Sequence, residues 1–290
     1  MNFPIARSIG FVGVAGLTLF LTGCGGGSAG GTTTPTPSAQ IISVTPDRLM
    51  YGKQTRFTVV GTNLDRGVTL SSSACANIGS VTGGSATQQV FTCTPSATGT
   101  IVLNFLSTGT SVPYASNQTI PLPRVTFTTN LGDMVFELYP ASAPLSVNNF
   151  LQYVSDNFYT NLTFHRVIRD FVIQGGGFNS ALQASSTRAP IKLESLNGLH
   201  NVRGSLAMAR TNVADSATSQ FYINTVDNSA VLDGTSAGVD GYAVFGKVVS
   251  DLALVDQIRA VPVGDALSSI GVLSNVPLTP IVIMSATQTQ

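Results

Sequence analysis

Two polar residues interrupt a hydrophobic stretch of the sequence. The segment FHRVIRDFVIQGGGF, residues 164–178, places Arg166 and Gln174 on what reads as two consecutive apolar strands. Arginine keeps its charge in proteins and presents a rigid fork of N–H donors, so Gln174 can hold one edge while another edge meets a substrate. One histidine, His165, is near and no cysteine is. An arginine with an amide partner could serve as a positioned hydrogen-bond donor, and a surface ion pair at Arg166 is the alternative.

The surrounding sequence predicts the elements that would position this pair. RVTFTTNLGDMVFELYP predicts a hairpin that turns at residues 130–133, and helical spacing of apolar residues predicts helices at residues 143–156 and 251–260. Further strands are predicted at TFHRVI, FVIQGG, GSLAMAR, SQFYINT and YAVFGKVV. A mainly β fold follows, with a closed antiparallel β-barrel capped by two helices over residues 124–290.

Four motifs in this region carry a family resemblance. FHRVIRDFVIQGGGF, RGSLAMART, SATSQFYI and LDGTSAGVDGYAVFGKVV resemble, in order and at compatible spacing, the signatures of the cyclophilin family of peptidyl-prolyl cis-trans isomerases. The resemblance spans residues 124–262. It implies that the chain accelerates rotation about X-Pro peptide bonds, with Arg166 donating a hydrogen bond to the prolyl nitrogen in the twisted transition state.

The resemblance also implies a set of site residues. Catalysis would fall to Arg166, Gln174 and Phe171. The substrate would be bound by Val172, Ala209, Arg210, Gln220, Tyr222, Leu232 and Tyr242, with the backbone at 209–210 and the Gln220 side chain holding the main chain. His165 would be structural and hydrogen-bonded beside the site. From the residues alone, core packing of the apolar members and a surface ion pair at Arg166 remain alternatives.

Several positions depart from the commonest family residues. Val172 stands in place of a methionine and Tyr222 in place of a phenylalanine, whose added hydroxyl needs a partner. Tyr242 matches the bacterial periplasmic members, whereas Arg210 differs from the usual residue. Val231 occupies the position of the tryptophan that favours cyclosporin, so the resemblance implies weak cyclosporin binding.

The beginning of the chain predicts export and a lipid anchor. Residues 1–23 read as a signal peptide, and LTGC resembles a bacterial lipobox in which Cys24 becomes the lipidated first residue. An ordinary secretory signal is the alternative. Residues 24–40 read as a flexible linker because they carry almost no large apolar side chain. The expected location is the bacterial cell envelope, and Gly25 favours the outer membrane.

Residues 41–123 predict a separate small β-sandwich, because short period-two apolar runs alternate with turn residues. IISVTPDRLMYGKQTRFTVVGTNL resembles the start of IPT/TIG immunoglobulin-like domains. Cys75 and Cys93 are the cysteines that remain after Cys24, and an exported protein is expected to pair them in a disulfide. Two free buried thiols are the alternative.

Composition restricts the partners. The chain has 14 Lys and Arg against 14 Asp and Glu, so no basic field is available to hold a nucleic acid. With two histidines and three cysteines the chain is poor in the ligands that zinc prefers, and no cofactor or metal is implied. Two functions remain open: an isomerase acting on exported polypeptides, or a membrane-tethered module that binds Pro-containing chains without catalysis.

Overall fold

The structure is a computed structural model that describes residues 37–110, 113–235 and 240–290. The predicted signal peptide, Cys24 and most of the predicted linker lie outside the described residues. No helix in the described ranges combines the length and the apolar character needed to cross a bilayer.

Residues 40–120 form two antiparallel sheets that face each other. Their strands are β1 Gln40–Pro46, β2 Thr55–Thr62, β3 Val68–Ser71, β4 Cys75–Val81, β5 Gln88–Pro95, β6 Gly99–Ser107 and β7 Tyr114–Ile120. One sheet has the order β1-β2-β5-β4 and the other β3-β6-β7. Phe91 and Phe105 meet edge to face between the sheets, with ring centroids 5.6 Å apart. Cys75 and Cys93 are joined by a disulfide between β4 and β5, with their Cα atoms 5.5 Å apart.

The rest of the chain forms the predicted barrel. Its elements are β8 Arg124–Thr129, β9 Gly132–Leu138, α1 Pro144–Ser155, β10 Leu162–Val167, β11 Val172–Asn179, β12 Ser205–Met208, β13 Phe221–Asn224, α2 Ser229–Leu232, β14 Val244–Val248, α3 Ala253–Arg259, β15 Val263–Ser268, β16 Gly271–Pro277 and β17 Ile283–Gln288. Eight strands follow the order β10-β11-β13-β12-β14-β9-β8-β17. A bridge between Thr163 and Val282 brings the two edge strands together, so the barrel is nearly closed.

Aromatic side chains fill the barrel interior. Phe127, Phe136, Phe150 and Phe221 are fully buried and touch one another at centroid distances of 4.9 to 6.5 Å. Phe150 comes from α1, whose predicted apolar stripe is buried as expected. The first turn of α1 is capped by a residue distant in sequence, because the Glu194 carboxylate accepts hydrogen bonds from two backbone N–H groups of this turn. The helix therefore closes one end of the barrel, and the backbone N–H groups of its first turn have acceptors.

The sandwich contacts the barrel at the strand that ends the chain. Tyr51 donates a hydrogen bond from its hydroxyl to Asn148 of α1 at 2.9 Å, and its carbonyl oxygen accepts one from Gln288 of β17 at 2.9 Å. Arg48 donates to the carbonyl of Thr289. Residues 37–290 thus make up one compact unit.

Several features of the fold differ from the sequence-based expectations. The helix α2 was not predicted, since four residues are too few for a helical period, and the strands β15, β16 and β17 were not predicted either. The tip of the β15–β16 hairpin is held by Leu182 and Ala184, which are distant in sequence. Leu252, which lies within the second predicted helix, is half-buried and precedes α3. Both predicted helices exist, each slightly shorter than predicted.

Candidate active site

Strand pairing places one row of side chains on the outer face of the barrel. Arg166 of β10 pairs with Gln174 of β11, Gln174 with Tyr222 of β13, and Tyr222 with Ala207 of β12. Directly paired residues project to the same face of a sheet. The neighbouring row, which includes Ile173 and residues paired with it, projects inward and is fully buried. The period of two therefore separates the candidate site from the barrel core.

The outer face carries a second apolar cluster, separate from the core. Its buried members are Val172, Ala207, Tyr222, Leu232 and Val244, and Phe171, Leu199, Ala209 and Tyr242 pack against them. A cavity of about 170 Å³ opens on this cluster, and it is lined by Arg166, Phe171, Val172, Gln174, Ala209, Arg210, Tyr222, Leu232 and Tyr242. Nine of the ten residues assigned from the sequence to catalysis and substrate binding therefore meet at one cavity.

The tenth residue, Gln220, joins the site through a hydrogen bond. Arg166 donates from Nη1 to Oε1 of Gln174 at 3.2 Å, and Gln174 donates from Nε2 to Oε1 of Gln220 at 2.9 Å. Within the described part of the chain, no carboxylate forms an ion pair with Arg166. The arginine is half-buried, and its contact is a neutral amide that leaves its charge uncompensated at the cavity wall.

The glycine run after Gln174 makes room for this chain of side chains. A Cβ atom at Gly177 would lie 2.6 Å from the side-chain amide of Gln220. Gly176 has a φ of 84° and would place a Cβ 2.9 Å from the carbonyl oxygen of Ser219. Both contacts are too close for a carbon atom, so Gly177 leaves room for the Gln220 side chain and Gly176 for the Ser219 backbone. A Cβ atom at Gly175 would instead lie 2.8 Å from the Phe164 ring in the core.

His165 is buried beside the site and is uncharged at neutral pH. Burial is the largest cause of its lowered pKa, about 4, and the neighbouring charge of Arg166 lowers the pKa further. Its ring packs against Phe178 at a centroid distance of 4.7 Å. Hydrogen bonding to the Thr163 backbone and to the Gln220 side chain raises the pKa and partly offsets this shift, whereas Nδ1 has no partner among the described residues. A neutral, buried imidazole agrees with a structural role.

The side chain of Arg210 packs against the cavity wall. Its guanidinium lies 4.6 Å from the centroid of the Tyr242 ring, and its Nε donates to the carbonyl of Gly241 at 3.1 Å. The N–H of Ala209 donates to the carbonyl of Gln220 at 2.9 Å and is therefore used within the barrel. Among the described residues, the Ala209 carbonyl oxygen has no backbone donor and remains available to a ligand.

A network of buried asparagines beneath the cavity escaped the sequence analysis. The added hydroxyl of Tyr222 donates to Oδ1 of Asn201 at 2.8 Å, and Asn224 donates to the same oxygen at 3.1 Å. Asn201 in turn donates to the Asp233 carboxylate, which follows α2. Asn228 connects Asn224 to the start of α2. Scattered asparagines show no period, so no sequence pattern could have found them.

The geometry limits what chemistry the site can perform. Among the residues that the structure describes, no three His, Cys, Asp or Glu side chains converge as a metal site would require. The cavity is lined by two guanidinium groups, the amide of Gln174 and several apolar side chains. The Arg210 guanidinium donates to backbone carbonyls, whereas Arg166 donates to Gln174, which Gln220 holds in turn. Such a site can bind a small apolar group and direct a hydrogen bond at a nearby atom.

Comparison with known proteins identifies the family. The family model described as cyclophilin type peptidyl-prolyl cis-trans isomerase/CLD matches residues 124–288. The chain therefore belongs to the cyclophilin-type peptidyl-prolyl cis-trans isomerases, enzymes that the motifs and the barrel had already indicated.

Two named relatives are similar to the same part of the chain, and one solved structure is reported beside them for comparison only. The chain is 51% identical over 157 residues to a peptidyl-prolyl cis-trans isomerase of Acinetobacter baylyi, which covers 54% of this chain and 80% of the relative. It is 46% identical over 164 residues to peptidyl-prolyl cis-trans isomerase B of Escherichia coli, covering 56% and 98%. Among solved structures, a cyclophilin type isomerase of Cryptosporidium parvum matches with a TM-score of 0.47 and 25% identity, over 58% of this chain and 98% of that one.

Replacing Asn201 with alanine should destabilise the protein. The substitution leaves the Tyr222 hydroxyl and the Asn224 amide without their shared buried acceptor, so the free energy of unfolding should fall by about 2 to 4 kcal/mol. Urea unfolding followed by circular dichroism measures the change. The exposed Asn212 provides the matched control, because Asn212→Ala should change stability by less than about 0.5 kcal/mol. Equal midpoints for Asn201→Ala and wild type would contradict a structural role for the network.

Proposed function

We propose that Arg166 drives the isomerisation by donating a hydrogen bond to the prolyl nitrogen of a twisted X-Pro bond. Amide resonance gives this bond a rotational barrier of about 18 to 20 kcal/mol. As the bond twists, the nitrogen recovers its lone pair and becomes an acceptor that the planar amide lacks. A donor aimed at that nitrogen stabilises the transition state and not the ground state, which is the condition for raising the rate.

The hydrogen bond from Arg166 to Gln174 is the observation that carries this proposal. It fixes one edge of the guanidinium to β11 at the wall of the cavity. A residue that only paired with a surface carboxylate would not need an amide partner or a place at this wall. Gln220 holds Gln174 in turn, so the donor is oriented before the substrate arrives.

The energetic requirement is modest. One preorganised donor contributes about 3 to 4 kcal/mol to transition-state stabilisation, which corresponds to two to three powers of ten in rate. The remaining acceleration would come from holding the prolyl peptide in a site with little water. No bond is broken and no proton needs to be transferred, so the neutral His165 is compatible with the reaction.

The cavity supports a single prolyl ring as the bound group. Its volume of about 170 Å³ is below the range of about 300 to 1,000 Å³ that is usual for drug-sized ligands. Phe171, Val172, Leu232 and Tyr242 supply the apolar wall. The substrates in this proposal are polypeptides that contain proline, gripped also through Gln220 and the Ala209 carbonyl oxygen.

Arg166→Ala tests the proposal. It should lower kcat/KM for a short X-Pro peptide by about 10²- to 10³-fold while peptide affinity changes little, because the lost contact is made in the transition state. Arg166→Lys should recover only part of the rate, since lysine keeps the charge without the fork of donors. Exchange spectroscopy by NMR measures turnover, and calorimetry measures affinity.

The matched control for this test is Arg203→Ala, which removes an exposed arginine paired with Asp256 outside the cavity. Its kcat/KM should equal that of wild type. If Arg166→Ala kept full turnover, the proposed role would be wrong. A wild-type protein that bound the peptide without accelerating its isomerisation would instead fit a module that only grips Pro-containing chains.

We further propose that the enzyme works on exported polypeptides while anchored to the cell envelope by lipid at Cys24. The lipobox-like LTGC supports this location, as does the disulfide between Cys75 and Cys93, a bond that is typical of oxidising compartments. In this proposal the IPT/TIG-like sandwich is a spacer or docking module that holds the catalytic barrel away from the membrane.

Cys24→Ser should abolish the anchor. The wild-type protein should sediment with membranes and incorporate labelled fatty acid, whereas the variant should do neither, because serine offers no thiol for the acyl-glycerol group. Gly25→Asp is the matched control, since it should keep the lipid and move the protein from the outer to the inner membrane. Membrane association of Cys24→Ser equal to that of wild type would refute the lipid anchor.

Cyclosporin should inhibit this protein weakly. Val231 in α2 stands beside the cavity residue Leu232 and offers neither the area nor the N–H donor of a tryptophan. Val231→Trp should tighten inhibition by about tenfold or more, whereas the distant Val102→Trp in β6 should have no effect. Inhibition constants from the peptide assay decide this, and submicromolar inhibition of wild type would show that the expectation is wrong.

A further inference from the structure

The hairpin of β15 and β16 forms a second cavity next to the prolyl cavity. This cavity has a volume of about 360 Å³ and lies between the barrel and the hairpin. Its barrel side is formed by His165, Arg166, Gln174, Phe178 and Gln220, and its hairpin side by Ile270, Val272, Leu273, Ser274 and Asn275. Arg166 and Gln174 line both cavities. The two cavities are therefore neighbours that share the side chains assigned to catalysis.

The two walls of this second cavity differ in character. The barrel wall presents the amides of Gln174 and Gln220, which can bond to a peptide main chain, together with the uncharged ring of His165. The hairpin wall presents Ile270 and Val272, which are 70% and 67% exposed. Large apolar side chains exposed together on a short ribbon indicate a binding surface. An extended polypeptide, with a polar backbone and an apolar side chain, matches both walls.

The tip of the hairpin is held in place rather than projecting freely. The backbone N–H of Ser269 donates to the carbonyl of Leu182 at 3.1 Å, and the Ser269 hydroxyl accepts a hydrogen bond from the N–H of Ala184 at 2.9 Å. The Ser268 hydroxyl accepts from the N–H of Ile270 and donates to the Gly271 carbonyl, which fixes the turn itself. The apolar wall therefore stands at a fixed position relative to Arg166 before any ligand binds.

We propose that this hairpin cavity binds the same polypeptide whose proline occupies the catalytic cavity, and that Ile270 and Val272 select an apolar side chain in it. The proposal rests on the proposed isomerase function. The cavities share Arg166 and Gln174, so the selected side chain is close to the proline along the chain. Since an extended chain advances about 3.3 Å per residue, our proposal places this side chain about two to four residues from the proline. The enzyme would then prefer prolines that have an apolar residue at this spacing, before or after them in the sequence. An unfolded exported chain exposes such segments.

Short peptides of alanine and glycine around one Ala-Pro bond test this proposal. Leucine or serine is placed two, three or four residues from the proline on either side, and kcat/KM is measured by NMR exchange. For at least one position, wild type should prefer leucine over serine by about three- to tenfold, the effect expected from partial burial of one apolar side chain. The double variant Ile270→Ser/Val272→Ser should lower this ratio to about one.

Val263→Ser is the matched control, since Val263 is 37% exposed on the same hairpin, pairs with Pro277 and does not line the cavity. It should keep the wild-type ratio. The ratio is taken within each variant, so a partly unfolded sample does not imitate the effect. A wild-type ratio of one at every position, or an unchanged ratio in the double variant, would overturn the hairpin site. Failure of wild type to turn over any of the peptides would instead overturn the proposed function itself.

Discussion

The pairing register between β10 and β11 is the constraint on which the site depends. Arg166 faces Gln174 across this pair, and a shift of register between Phe164 and Arg166 allows Phe164, two residues earlier, to pair with Gly175 and point toward the core. A slip of one residue would reverse every side chain, burying the guanidinium among phenylalanines and exposing the core. The apolar residues between the polar ones therefore do more than fill space. Their burial fixes which face of the barrel Arg166 occupies.

The barrel wall separates an aromatic core on its inner face from the candidate site on its outer face. Inside, fully buried aromatic rings such as Phe127 and Phe221 supply the stabilising apolar burial. Outside, the apolar cluster around Tyr222 is supported from below by hydrogen bonds to buried asparagines. Since a donor that stabilises a transition state must not reorganise during the reaction, this supported wall suits the catalysis. The fold thus provides rigidity where the proposed mechanism requires it.

Most of the barrel could be predicted because its strands and helices have clear periods. The hairpin of β8 and β9, the strands that carry the motifs and the apolar stripe of α1 lie where the sequence places them. The helix α2 and the hairpin of β15 and β16 could not be predicted, because their form depends on contacts made far along the chain. The tip of that hairpin, for example, is held by the backbone at Leu182 and Ala184.

The sequence by itself determined the family, the barrel and the residue types at the site, because local periodicity and motif spacing are written along the chain. It also determined that Tyr222 carries a hydroxyl in need of a partner. Only the tertiary structure decided that the partner is Asn201 and that the N–H of Ala209 is used within the barrel. It also decided that Ile270 and Arg166 line the same cavity. These facts join residues distant in sequence, and folding brings them together through packing and hydrogen bonds that no local pattern encodes.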